Sequence, residues 1–489
     1  MALVTPVFPR TGRNLEAVLT AAAVALSIGG YALVGLKVNG TLPPGMLGYG
    51  AGLGGLTFAF HLLLRKYARY ADPTLLPMAT LINGIGLVMI HRIDLEYGRS
   101  LGASLALKQL IWTTLGILAA GAIIYFVRDH RVLSRYTYIA MAAGLVLLLT
   151  PLTPVLGKTI NGSRIWIGLG VFSLQPGELA KIVLTIFFAG YLVTARDSLS
   201  LVGRKFLAMQ LPRGRDLGPL LVIWGTSLAV LVFERDLGTS LLFFGLFVAL
   251  LYVATERISW VVIGMLLFCG GAFVADQIFA HVQNRVAIWL HPFAPGTIGR
   301  STQIVQGIFG MASGGLFGTG LGAGMPKLEF ASESDMIYAS IGEELGLTGL
   351  FAILILYILI VERGLRTAIG VRDGFGKLLA TGLAFTMALQ VFVVVGGVTR
   401  VIPLTGLVMP FLAYGGSALL SNWMIIALLL RISDSARRPA TEMDGPAFDP
   451  PIPDEELPDD VINPADPPHS TEPAGPTPAD GNQETVVVR

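Results

Sequence analysis

The chain has 489 residues, of which 53% are hydrophobic and 13% charged, with a mean hydropathy of +0.69. Soluble domains carry about 25% charge, so this composition leaves too little polar surface to face water and excludes a string of soluble domains. The net charge of +2 hides an asymmetry: Pro439 to Arg489 holds 12 acids and a single Arg, against 33 Lys/Arg and 20 Asp/Glu in the rest. A basic body with an acidic tail fits a protein held at an anionic cytoplasmic leaflet. Its basic residues are scattered among loops, which argues against a nucleic-acid partner.

Cysteine and histidine usage narrows the chemistry. The single Cys269 excludes an intramolecular disulfide and a multi-Cys metal site, and the six histidines show no metal-ligand spacing. No protein-held metal is expected.

A spanning helix needs about 20 mostly apolar residues. Twelve such segments are predicted, over 17–36, 44–64, 74–91, 109–127, 136–155, 177–195, 218–233, 237–254, 258–278, 345–361, 378–397 and 412–431. The first is too long for a signal-peptide core and reads as a retained anchor. With the N-terminus in the cytoplasm, the inner loops and termini receive 22 Lys/Arg and the outer loops 11. That bias predicts a multi-pass plasma-membrane protein with both termini cytoplasmic. The expected fold is therefore all-α and polytopic, with a large external loop, 279–346, between helices 9 and 10. Three regions are expected: an N-terminal transmembrane pair over 1–72, a transmembrane core over 73–435, and a disordered acidic, Pro-rich cytoplasmic tail over 436–489.

Two external segments carry most of the candidate chemistry, 156–176 and 279–346. The second holds Trp289, Phe293, Ile304, Phe309, Leu316 and Phe330, too apolar for disorder. Glu178 and Lys181 lie three apart near the outer end of a spanning helix, hence on one face. They fit either a structural ion pair or a cavity-facing site. Asp236 reads as a helix cap. The glycines of Gly314 to Gly324 lack the Gly-Lys-Ser/Thr of a nucleotide loop and read as close backbone approaches. Glu343 and Glu344 read first as helix-start charges. Asp335, eight residues earlier, has no such ready explanation. Arg164, Arg285, Arg300 and Arg400 are external cations whose planar forks suit a pyrophosphate, with solvated anchoring as the plainer alternative.

Several segments, taken in order, resemble the SEDS (shape, elongation, division and sporulation) family of bacterial cell-wall proteins, the RodA and FtsW group. They are Asn161-Gly-Ser-Arg164-Ile-Trp166, Ser173-Leu-Gln-Pro-Gly-Glu178-Leu-Ala-Lys181, Glu234-Arg-Asp236-Leu-Gly-Thr-Ser240 and Gln303-Ile-Val-Gln306. They continue with Gly314 to Gly324, Ser334-Asp335 with Ile341-Gly-Glu343-Glu344-Leu-Gly346, and Pro403-Leu-Thr-Gly406 with Tyr414-Gly-Gly-Ser417. The resemblance covers about 160 to 420 and implies a ten-helix core, to which the first two helices look like an addition, as in actinobacterial RodA-like members.

It also implies a peptidoglycan glycosyltransferase that polymerises lipid II into β-1,4 glycan strands for elongation or division, with a class B penicillin-binding protein as transpeptidase partner in the cell-wall synthesis machinery. An external site cannot draw on cytoplasmic nucleotides, so a donor carrying its own lipid pyrophosphate fits the topology. No cofactor is assigned; a divalent cation bridging that pyrophosphate stays open. Asp335, which matches the family's Ser/Thr-Asp position, is the candidate base, and His291 is a physical alternative, since a neutral imidazole can accept a proton near pH 7. The candidate substrate-binding residues are Arg164, Glu178, Lys181, Arg285, Gln303, Gln306, Glu343, Glu344 and Arg400. One departure stands out. The family's external-loop pattern, W-x-[DN]-P-x-x-D-P, reads here Trp289-Leu-His291-Pro-Phe-Ala-Pro295-Gly296, with Pro295 in place of the Asp taken as catalytic base. The alternative reading is a lipid II flippase or a non-catalytic scaffold of the same machinery.

Overall fold

A computed structural model of the chain describes residues 11–154, 156–160, 163–169, 172–200 and 236–439, with 205–206, 209–210 and 225 as short islands. The expected seventh span, 218–233, and the acidic tail beyond 439 lie outside the described residues. Among the described residues, eleven helical segments are long and apolar enough to cross a membrane, against twelve expected along the whole chain.

The first six helices are α1 (Arg13–Asn39), α2 (Met46–Tyr67), α3 (Leu75–Glu96), α4 (Leu105–Phe126), α5 (Thr137–Leu149) and α6 (Pro176–Ser200). From residue 237 on come α7 (Leu237–Thr255), α8 (Ile258–Ile278), α9 (Ala280–Leu290) and α10 (Thr302–Gly314). The chain closes with α11 (Ile337–Gly370), α12 (Gly374–Val398) and α13 (Gly416–Arg437). Polar caps start several of them. Ser104 Oγ accepts from the Leu107 N–H at 3.1 Å, Asp236 Oδ1 from Thr239 N–H at 2.9 Å, and Asp373 Oδ2 from Gly376 N–H at 2.7 Å. Each satisfies a helix-start N–H that would otherwise have no partner.

One expectation needs correction. The 345–361 span belongs to the longer α11, which bends at Gly346, whose φ of 67° is a left-handed conformation open to glycine. The 156–176 segment, expected as an external stretch with no assigned structure, is extended. It folds into a three-stranded antiparallel sheet, β1 (Gly157–Ile160), β2 (Ser163–Leu169) and β3 (Phe172–Leu174), with Gly157 opposite Ile167 and Gly168 opposite Ser173. Alternation of Ile165 and Ile167 with Trp166 and Gly168 favours an extended chain there.

Burial is uneven. Of the most apolar window of each helix, 83% is buried in α13 and 78% in α3, but only 11% in α8. The α13 helix is thus the central post. Its Trp423, fully buried, meets Phe411 and Phe60 edge-on at ring distances of 5.4 and 6.3 Å. Lipid tails are as apolar as leucine, so helix association rests on close packing and interhelical hydrogen bonds. Gln109 Nε2 donates to the Ala413 carbonyl at 3.0 Å, and Asn83 Nδ2 to Thr113 Oγ1 at 3.1 Å. The end of the bundle that carries α9 and α10 is called the loop end below, and the opposite one the far end.

Candidate functional site

Three ionisable side chains from separate elements converge at the loop end. Asp236 precedes α7, Arg285 projects from α9, and Asp335 lies two residues before α11. Arg285 donates through Nη1 to the Leu404 carbonyl at 2.9 Å rather than closing on a carboxylate. It feels both acids across the intervening space, each favouring its charged form against the burial that disfavours it. Burial raises Asp236 above the usual carboxylate range, with the Thr239 cap and Arg285 acting against it and Glu178 with it. Burial likewise raises Asp335, opposed by Arg285 and by the neighbouring amide of Gln303 from α10. The buried Gln303 Nε2 nevertheless closes no hydrogen bond of ordinary length. An Arg fork held between two raised carboxyls can take a phosphate, and a raised carboxyl can accept a proton closer to neutral pH.

Beneath this group, Gln175 and the first turn of α6 connect the site to the post. The Gln175 N–H donates to Ser417 Oγ at 2.8 Å, and its Nε2 reaches Asp236 Oδ2 at 3.5 Å. Lys181 Nζ meets Glu178 Oε2 at 2.5 Å and donates to Gln390 Oε1 at 3.0 Å, while Ser421 donates to Glu178 at 2.8 Å. Gln390 Nε2 in turn donates to the Val408 carbonyl at 2.9 Å. Glu178 and Lys181 are 5% and 1% exposed, so this pair ties α6 to α12 and α13 inside the bundle. Asp236 therefore caps α7 as read from sequence, and also faces Gln175 and Arg285.

The structure gives Glu343 and Glu344 a different setting from Asp335. Glu344 Oε1 accepts from Arg92 Nε at 3.0 Å and Oε2 from Gly322 N–H at 2.9 Å; Glu343 Oε2 accepts from Met325 N–H at 3.0 Å. Their backbone carbonyls take the N–H groups of Thr319 and Gly320, each at 2.9 Å. The two acids thus fasten the Gly-rich loop onto the start of α11.

Nearby, Glu329 is 2% exposed, accepts from Ser340 Oγ, and leaves Oε1 without a partner. Burial pushes its carboxyl up to about 8, with Ser340 opposing and Glu343 and Glu344 adding to the rise. Nothing in the sequence around Glu329 marks it as buried; only the packing of α10 against α11 does.

The remaining candidates are more peripheral. Arg164 donates to the Thr153 carbonyl at 3.0 Å beside β2. Arg400 is exposed, at a φ of 63°, and its carbonyl accepts from Trp289 Nε1 at 3.2 Å. His291 is exposed and caps the end of α9, its N–H donating to the Ala287 carbonyl at 2.9 Å. Beyond it, Ser301 Oγ donates to the Pro292 carbonyl and Arg300 Nη2 to the Gly296 carbonyl at 2.6 Å, so the segment holding Pro295 is a chain of local turns. Gln306 lies one turn along α10 from Gln303, half-buried.

Comparison with known proteins agrees with this fold. A family model described as "Cell cycle protein", covering FtsW, RodA and SpoVE, matches residues 73–438. The chain is 50% identical over 440 residues to the peptidoglycan glycosyltransferase RodA of Mycobacterium tuberculosis, covering 89% of this chain and 93% of that protein. It is 32% identical over 375 residues to stage V sporulation protein E of Bacillus subtilis, covering 75% and 98%. Among solved structures, a chain of a peptidoglycan synthase complex superposes with a TM-score of 0.60 at 23% identity, covering 76% of this chain and 99% of that one. RodA of Thermus thermophilus superposes with a TM-score of 0.52, also at 23% identity, covering 76% and 98%. With its match running through the whole helical core from α3 to α13, the chain belongs to the FtsW/RodA/SpoVE family of multi-pass membrane proteins.

Proposed function

We infer that this chain is a peptidoglycan glycosyltransferase that polymerises lipid II outside the membrane, with both termini cytoplasmic, alongside a class B penicillin-binding protein. What supports this reading, beside the relatives' activity, is the convergence of Asp335, Arg285, Asp236 and Gln303 at the loop end. The acceptor hydroxyl oxygen bonds to the anomeric carbon of the donor. The bond from that carbon to the pyrophosphate oxygen breaks, and its electron pair leaves with the undecaprenyl pyrophosphate. The hydroxyl proton passes to Asp335, and Arg285 holds the departing anion. Charge-assisted bonds to phosphate are worth roughly 1.5–3 kcal/mol each.

A second reading, a lipid II flippase or scaffold, is favoured by one observation: Pro295 stands where relatives of this family carry an Asp. Lipid II polymerisation by the purified protein with its partner separates the two. Turnover lost in Asp335→Asn but kept in His291→Ala supports the assignment, and the reverse pattern gives the base role to His291. Lipid II binding without turnover in the wild type, with turnover gained in Pro295→Asp, makes the chain a scaffold.

A further inference from the structure

The family match begins at residue 73, so α1 and α2 stand outside it. They reach the Gly-rich loop all the same. At the loop end of α1, Tyr31 and Val34 are 5% and 0% exposed and form a small apolar cluster with Val88 of α3, on which Leu321 of the loop packs. Tyr31 stacks on His91 of α3 at 4.1 Å, and Tyr49 of α2 closes on these two rings at 4.9 and 6.0 Å. One residue on, Gly322 has φ +83°, and a Cβ there would lie 3.0 Å from the Lys37 Cβ. From the other side, Gly322 donates to Glu344, and Arg92, next to His91, bonds both Glu344 and the Gly324 carbonyl at 2.7 Å.

The loop is thus gripped between α1 and the start of α11. It joins α10, which carries Gln303, to the segment that carries Asp335. Without the grip, a stretch with Gly315, Gly318, Gly320 and Gly322 all at positive φ would regain a large conformational entropy.

We propose that the N-terminal helix pair is a positioning element of the site, holding the Gly-rich loop through the packing of Leu321 on the cluster of Tyr31, Val34 and Val88. Its catalytic consequence rests on the polymerase reading; its structural half does not. A displacement of about 1 Å at reacting groups can cost a hundredfold in rate. The clamp therefore acts on the chemical step more than on lipid II capture.

The test uses the full chain with its partner in lipid, comparing wild type with Tyr31→Ala, Leu321→Ala, their double variant, Tyr31→Phe, and Leu26→Ala on the exposed face of α1. Tyr31→Ala is expected to speed amide exchange over 318–325, although it changes another element, and to lower kcat about tenfold with little change in KM. The double variant is expected to be no worse than the more affected single one, because both weaken the same apolar cluster. Tyr31→Phe keeps the ring stack and Leu26→Ala touches nothing in the clamp, so both should match wild type. Wild-type exchange and kcat in both alanine variants, or full additivity of the two, overturns the proposal. If Tyr31→Ala does not fold, Leu321→Ala, at a half-buried position, decides alone. A wild type without turnover defeats the polymerase reading, and the exchange comparison then still decides the clamp.

Discussion

At the far end of the bundle the buried acids are closed by their own cations, while around Arg285 at the loop end they are not. Asp434 takes Arg438 at 2.6 Å, Arg431 at 3.6 Å and the Tyr70 N–H at 2.8 Å. Asp72 takes Arg437, Arg363 at 3.8 Å and the Thr74 N–H at 2.9 Å. Asp373 takes His130 at 2.8 Å and Arg131 at 3.3 Å, which with the Gly376 cap hold its carboxyl down at about 2. Around Arg285 the arrangement differs: the guanidinium bonds a carbonyl, and Asp236 and Asp335 are raised by burial rather than lowered by contact. The far end spends its charges on itself and fixes helix ends. The group around Arg285 keeps charge unspent, which is the condition for meeting a charged ligand.

The largest test of that contrast is Asp335→Asn against Asp72→Asn. General-base help is worth roughly a hundred- to ten-thousandfold, so Asp335→Asn should lower lipid II turnover by about that factor with its melting temperature nearly unchanged. Asp72→Asn should instead lower the melting temperature while turnover per folded molecule stays near wild type. If both changes act alike on turnover, the division between the two ends fails. The same contrast predicts a pH profile: a base must be ionised, so turnover should climb with pH through a value above the usual carboxylate range, and Asp335→Glu should move that limb.

A second test is energetic. Removing one partner of a buried ion pair costs about 3–5 kcal/mol, so Asp434→Asn, which strands Arg431 at 2% exposure, should be among the most destabilising far-end changes in a detergent melt. A melt within a degree or two of wild type would show those charges to be solvated rather than structural.

Glu329 sharpens the comparison from within the loop end. Its carboxyl is raised from 4.5 to about 8, so the folded chain holds a proton there that the unfolded chain releases. Its contribution to stability is fully present below about pH 4.5 and is lost as pH rises towards about 8. Glu329→Gln, which stays neutral, should flatten the melting temperature across that window. Asp373 has the opposite sign and the smallest effect. Its contribution is present above 3.8 and lost as pH falls towards about 2, and Asp373→Asn should cost about 1 kcal/mol through the cap and the His130 contact.

Much of the membrane architecture was legible in the residues because hydropathy over about 20 positions is a local property. That signal located α1 to α4, α8, α12 and α13 to within a few residues. It is silent on 156–176, where a short sheet needs strand pairing that no window of hydropathy reports, and it misplaced the start of α11, whose apolar run begins only after the bend at Gly346. Spacing on one helix also placed Glu178 beside Lys181, since three residues is less than a turn.

What sequence could not decide was which distant residues share a volume. Asp335 and Glu343 lie close in the chain, yet one faces Arg285 from α9 and the other fastens the Gly-rich loop. Glu329 is an ordinary acid in a loop until α10 covers it, and the first helix looks like a plain anchor until Leu321 packs on the cluster its Tyr31 and Val34 form with Val88. Composition and periodicity are sums over neighbours in the chain, so they determined that this protein crosses a membrane many times and roughly where. Burial, pairing and the charge left open around Arg285 depend on contacts between residues up to hundreds of positions apart, and only the packed bundle decided those.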